Sequence, residues 1–222
     1  MSVLRVLSVA FVALAVALFS STASADTWLL PEIETFESAN KLYRFTVIPR
    51  ALEHQLAYFE DAVAGRQKSG QHPFSYRTEC RGALEALTDE GTWQQLWERE
   101  LVNDVAPVRV IVADSGSHVV TTDNWHSAGY GSNAVVIYGP DGVLVRQFAL
   151  LDFLREREFK RLPRTASSIG WGSGHYFTAD GNLVLRARKQ RRRYSDPTGK
   201  WIEVTVRLKD GEVLGRRVTR SE

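Results

Sequence analysis

Apolar and polar positions alternate along this chain in short runs broken by turn residues. Tyr43-Arg-Phe-Thr-Val-Ile48 alternates and stops at Pro49, and Val108–Val112, Val119–Thr122, Val135–Tyr138 and Leu144–Phe148 read as four short strands. The pattern repeats. Residues Pro31–Val47 can be laid on Pro107–Asp123 without a gap at an offset of 76, and a third copy begins at Thr178-Ala-Asp-Gly181, with Gly181 standing where Gly116 stands. After each copy comes another strand pair around a turn, at Asp89-Glu90-Gly91, Asp141-Gly142 and Asp210-Gly211. This predicts an all-β fold of three repeated antiparallel four-stranded units, at about 28–103, 104–153 and 165–219. Together they form a single β-repeat domain over residues 26–222, in which each sheet buries its faces against the next.

Two stretches read as helical. Leu52, Leu56, Phe59 and Val63 recur at helical spacing in an insertion spanning Arg50–Pro73, and the charged connector Leu154–Leu162 predicts a short helix ending before Pro163. In the third unit the expected strands are Ser168–Trp171, Leu183–Arg186, Trp201–Leu208 and Val213–Val218. No low-complexity linker separates the units, which points to one continuous core.

A four-stranded unit of this length has the size of a propeller blade. The run Pro107-x-Arg-Val-x-Val-Ala-Asp-x-Gly116, with Val135-Val-x-Tyr138, Asp141-Gly142 and Leu150-x-Asp152, resembles blades of WD-repeat-like or PQQ-like bacterial β-propellers. The stretch Thr122-Asp-Asn-Trp-His126-x-x-Gly-Tyr-Gly131 is similar to a motif in secreted bacterial proteins of unassigned function. The resemblance implies a partial or distorted propeller-like stack and brings no catalytic residues with it. Three units are fewer than the four or more that close a ring, so an open stack, a distorted sandwich and closure by oligomerisation all stand as readings.

Composition adds an address. Arg5, the uncharged run Val6–Phe19 and Ala23-Ser24-Ala25 make a signal peptide over residues 1–25, with cleavage expected between Ala25 and Asp26. The apolar run is shorter than the roughly 20 residues a spanning helix needs, so no transmembrane segment is expected in the mature chain, which is secreted or periplasmic. A formal net charge of +2 over 222 residues gives no global reason to expect nucleic acid. Cys80 is the one cysteine, so no intramolecular disulfide can form, and burial is its expected state.

The densest chemistry lies in Asp123-Asn-Trp-His-Ser-Ala-Gly-Tyr130, between the two central strands of the most regular unit. Asp123, Asn124, Trp125, His126 and Tyr130 suit a polar ligand, with the aromatics stacking and the others hydrogen-bonding. The same residues also serve as loop struts, since Asp and Asn bond their own backbone in turns. No G-x-S-x-G elbow occurs, the five histidines show no H-x-x-x-H or H-E-x-x-H spacing, and Gly170–Gly174 precedes strand rather than helix. No catalytic set, metal or cofactor is therefore expected. Arg188, Lys189, Arg191, Arg192 and Arg193 concentrate positive charge at one hairpin end and fit either an anionic envelope surface or a solvated strand edge. The reading that results is a secreted or periplasmic, non-enzymatic β-repeat protein binding a protein partner or polar ligand. The alternative is a hydrolase-type enzyme with His126 as general base, oriented by Asp123.

Overall fold

The computed structural model describes residues 29–190 and 197–220. The signal segment and Arg191, Arg192 and Arg193 therefore lie outside the described residues. Twelve strands form three separate four-stranded antiparallel sheets. Sheet one holds β1 (Glu34–Glu37), β2 (Tyr43–Ile48), β3 (Arg81–Leu87) and β4 (Trp93–Glu100). Sheet two holds β5 (Pro107–Val112), β6 (Val119–Asn124), β7 (Val135–Tyr138) and β8 (Leu144–Phe148). Sheet three holds β9 (Tyr176–Phe177), β10 (Asn182–Gln190), β11 (Pro197–Arg207) and β12 (Val213–Arg220). Each sheet is a meander, with neighbours in sequence paired in space. Helix α1 (Gln55–Val63) sits between β2 and β3, and α2 (Glu156–Phe159) links sheets two and three. No helix among the described residues is long and apolar enough to cross a membrane.

The middle sheet is a wall shared by two cores. Val119, Val136 and Tyr138 pack with Phe45, Val47, Leu84 and Trp97 of sheet one. The alternate residues Val120, Val135, Ile137 and Phe148 pack with Leu183, Leu185, Ile202 and Val204 of sheet three. A strand buried on both faces loses polar alternation, which is why Val135–Tyr138 is wholly apolar. The end sheets do alternate. Outward on sheet one lie the Arg44–Glu85 and Arg81–Glu98 ion pairs. On sheet three Glu203 joins Arg186 and Arg217. Charged outer faces end the stack, as capping repeats do, and the sheets stay open.

The repeat is real in space but one residue out of the alignment that the sequence suggests. Glu34 pairs Val47, and Arg109 pairs Thr122, so sheets one and two correspond at an offset of 75 rather than 76. The slip matters because it exchanges the two faces of a strand. At 75, Phe45 corresponds to Val120, and each faces the following sheet. Every unit also bears an irregularity between its third and fourth strands, at Leu84/Glu85, Ile137/Tyr138 and Thr205/Val206. Such bulges strengthen the local twist.

One joint is used twice. The turn before β8 places Gly142 so that an added Cβ would lie 2.7 Å from Trp97 and 2.6 Å from Arg99, both on β4. The turn before β12 places Gly211 2.6 Å from Arg146, on β8. Both glycines adopt positive φ. Their counterpart Gly91 has nothing within 4 Å, because among the described residues no sheet precedes sheet one.

The helix expected from the spacing of Leu52, Leu56, Phe59 and Val63 forms as α1, which starts after Leu52; Leu56 and Val63 are 67% and 91% exposed, and Tyr58 anchors it. One local expectation needs correction. Residues Ser168–Trp171 do not form the first strand of unit three. They make single bridges, Ala128 to Ser168 and Arg164 to Ile169, and the two-residue β9 takes that edge of the sheet.

Candidate functional site

Two residues lie in the left-handed region where β6 gives way to its loop, Asp123 near the strand's end at φ 62° and His126 just beyond it at φ 63°. Asp123 is buried, and its Oδ1 accepts from the Gly129 backbone N–H at 2.7 Å and from Trp171 Nε1 at 2.8 Å. Burial pushes its carboxyl above the ordinary range, with these two bonds and the charge of Arg109 pulling the other way. Asn124 Oδ1 accepts from Asn103 Nδ2 at 2.7 Å. Trp125 is buried and donates to the Leu29 carbonyl at 2.8 Å, and the Tyr130 hydroxyl donates to the Thr165 carbonyl at 3.0 Å. His126 turns the other way and hydrogen-bonds through Nε2 to the Tyr58 hydroxyl. The loop thus ties together α1, sheet two and the Trp171 segment. The Asp123–His126 pairing required by the hydrolase reading is absent from the hydrogen bonds of these two residues.

Behind His126 runs a polar chain that the sequence did not reveal. Tyr58 donates to Asp104 Oδ2 at 3.2 Å, which leaves its oxygen to accept from His126 and makes His126 the Nε2–H tautomer. Burial holds the His126 pKa below its ordinary value, ahead of the opposing pull of Asp104. Arg50, 1% exposed, donates to the Asp104 and Ser69 carbonyls at 3.0 Å each and to Asp104 Oδ2 at 3.1 Å. A buried guanidinium needs such a full set of acceptors. Its partners are 18 to 54 residues away, so no local pattern marks it. Tyr58, Phe59, Trp125 and His126 wrap this chain in ring contacts of 4.4–6.4 Å.

A separate cleft of about 710 Å³ opens where the inner ends of the three sheets meet. Glu37 comes from β1, Ile111 and Val112 from β5, and Tyr176 and Phe177 from β9. Asp114, Ser115, Ser117 and Thr178 from the adjoining turns add oxygen groups, and His118 and His175 complete the polar lining. Asn40 fastens one rim, donating through its backbone N to Asp114 Oδ1 at 2.9 Å and through Nδ2 to the Asp114 carbonyl at 2.8 Å. His175 stacks on Trp171 at 4.7 Å and accepts from the Arg186 backbone N–H through Nδ1 at 3.0 Å. Burial, then the charges of Arg109 and Arg186, bring its pKa down to about 4, so its neutral ring carries the proton on Nε2. Burial likewise lowers the pKa of His118. Glu37 and Asp114 are the acidic side chains of the lining, and among the described residues neither Lys nor Arg lines the cleft.

At the basic hairpin, Arg188 lies at the end of β10 over Trp201, 5.9 Å from the ring centre, with Lys189 next to it. Cys80 is buried, and burial, with the Asp104 charge adding, raises its thiol pKa to about 12, which leaves it protonated and inert. Among the described residues no group of three or more His, Cys, Asp or Glu is placed to hold a metal ion. No protein-family model and no curated protein sequence matches this chain.

Proposed function

We propose that this is an exported, non-enzymatic β-repeat protein that binds a neutral or cationic polar ligand, carried by a small molecule or by a partner protein, in the cleft between the three sheets. The observation that carries the reading is that first strands of all three repeats contribute to one cavity. That cavity offers hydroxyls, two carboxylates and an aromatic edge at Tyr176 and Phe177. Pockets that combine apolar walls with a few convergent polar groups are the usual form of a ligand site. Carboxylates without a basic partner in the lining disfavour anions. The export half of the reading rests on residues 1–25. The Asp123–Tyr130 loop then acts as the strut that holds sheets two and three in register beside the cleft.

The test is native mass spectrometry of mature protein purified from its own host, beside an Ala179→Trp variant. Ala179 is an exposed residue of the cleft rim, so the indole fills the opening without entering the core. A retained small molecule or partner that is lost in the variant supports the reading. Retention by both proteins places binding elsewhere and overturns it, as does the absence of any bound species from both.

A further inference from the structure

Toward the opposite edge of sheet three, where β11 and β12 lie, is a second cavity, of about 500 Å³ and of opposite charge. Its roof is the α2 segment with Arg155, Arg157, Glu158 and Arg161, and its floor is the end of sheet three with Lys189, Ile202, Arg216 and Val218. Ile202 pairs with Val218 and Val204 with Arg216, so Ile202, Arg216 and Val218 share the face turned toward α2. Arg188 and Arg217 also border the cavity, but their guanidinium groups serve the other face, over Trp201 and against Glu203 at 2.9 Å. The cavity thus draws on Arg155, Arg157, Arg161, Lys189 and Arg216.

Among the described residues of the lining, one carboxylate opposes them. Glu158 is held by Arg216 at 2.6 Å and by the Arg155 backbone N–H at 2.9 Å. Burial pushes its pKa up, but these bonds and the Arg216 and Arg155 charges outweigh burial and hold it below the ordinary range. Glu156, the other acid of α2, is paired with Lys160 and does not line the cavity. A chain whose whole formal charge is +2 has therefore gathered five basic side chains around one concave space. Mutual repulsion makes such a gathering costly unless an anion offsets it, and a low-dielectric wall such as Ile202 and Val218 strengthens that attraction.

The geometry points to a binding site for a compact ligand bearing two or more phosphate groups, seated between α2 and the β11–β12 edge. Arginine forks suit phosphate oxygens bidentately, and several forks converging from two elements suit more than one phosphate. The shared chemistry belongs both to a free oligophosphate and to a phosphorylated lipid headgroup, and the experiment separates them.

Titration calorimetry of the mature protein with tripolyphosphate at low salt is the direct measurement. Arg157→Gln with Arg161→Gln should weaken binding about tenfold or more, since charge-assisted hydrogen bonds are lost from residues that make no core contact. Glu158→Gln should tighten it by removing the opposing charge. Arg81→Gln on sheet one, a surface residue distant in the stack, should leave it unchanged. Equal weakening by Arg81→Gln, or no weakening by the double variant, would show non-specific charge binding and overturn the site. In a second arm, co-sedimentation with vesicles containing phosphatidylinositol bisphosphate, whose headgroup carries more than one phosphate, competed by tripolyphosphate, identifies a headgroup as the source. Vesicle binding that tripolyphosphate neither competes nor reproduces in solution would mean flat surface docking, and the phosphate pocket would be rejected.

Discussion

The carboxylate of Asp123 accepts a hydrogen bond from the indole of Trp171 at 2.8 Å, across 48 residues of chain. That bond fastens the loop leaving the middle sheet to the segment that enters sheet three. Trp171, 2% exposed, lies in the core between those sheets and stacks on His175, which lines the cleft. A residue chosen from sequence for its chemistry turns out to work as a fastening.

Substitutions at Asp123 should therefore act on stability in a set order. Asn tolerates positive φ and keeps an acceptor for Trp171, so Asp123→Asn should cost no more than about 1 kcal/mol. Asp123→Ala loses both bonds and meets backbone strain at φ 62°, for roughly 3 kcal/mol. Asp123→Gly should fall between them, since it escapes the strain. Urea unfolding of the mature protein gives the order, and equal losses for Asn and Ala would show that the hydrogen bonds carry little weight.

The Arg50–Asp104–Tyr58–His126 chain should behave as one unit. Arg50→Met leaves the Asp104 and Ser69 carbonyls without their donor and should cost on the order of 3 kcal/mol. Tyr58→Phe should cost about 1 kcal/mol. A double-mutant cycle of Tyr58→Phe with His126→Ala should give a coupling of at least about 0.5 kcal/mol, whereas additive losses would mean the contact is energetically idle.

The two repeated joints predict a contrast among equivalent glycines. Gly91→Ala adds a methyl in open space and should cost about 1 kcal/mol for its positive φ alone. Gly142→Ala and Gly211→Ala pay the same strain and also push into the strand of the preceding sheet, for roughly 2–4 kcal/mol in total. Thermal unfolding of the three variants measures the difference. Equal shifts would indicate that the turns do not bear on their neighbours.

Acid should weaken the fold before it protonates the carboxylates. His118, His126 and His175 are all held below their ordinary pKa by burial, His175 at about 4. Between pH 6.5 and 4 the unfolded chain takes up protons that the folded His175 refuses. Its contribution is therefore full above pH 6.5 and is lost as pH falls through 4, to the extent of about 3 kcal/mol. Asp123, with its raised carboxyl, acts in the opposite sense at the acid end. Urea midpoints should decline from pH 7 to pH 4.5, and His175→Asn should flatten the decline. A midpoint that rises over that range would contradict the assignment.

Local chemistry alone carried much of this architecture. Tyr43–Ile48 is a strand with the bounds its alternation indicates, Asp-Gly and Glu-Gly turns close the hairpins, and the connector before Pro163 holds α2. These features depend on neighbours a few residues apart, which a linear reading can see. Tertiary structure decided the rest. The offset of 75, and with it which face of each strand is inward, follows from sheet against sheet, because two faces of a doubly buried strand are equally apolar. Helical spacing marked α1 but not that Leu56 and Val63 are exposed, because spacing reports a face and not what covers it. The burial of Arg50, the bond from Trp171 to Asp123, the three-sheet cleft and the convergence of α2 with the end of sheet three join residues tens of positions apart. Such contacts leave no periodicity in the chain, since folding alone brings their partners within reach.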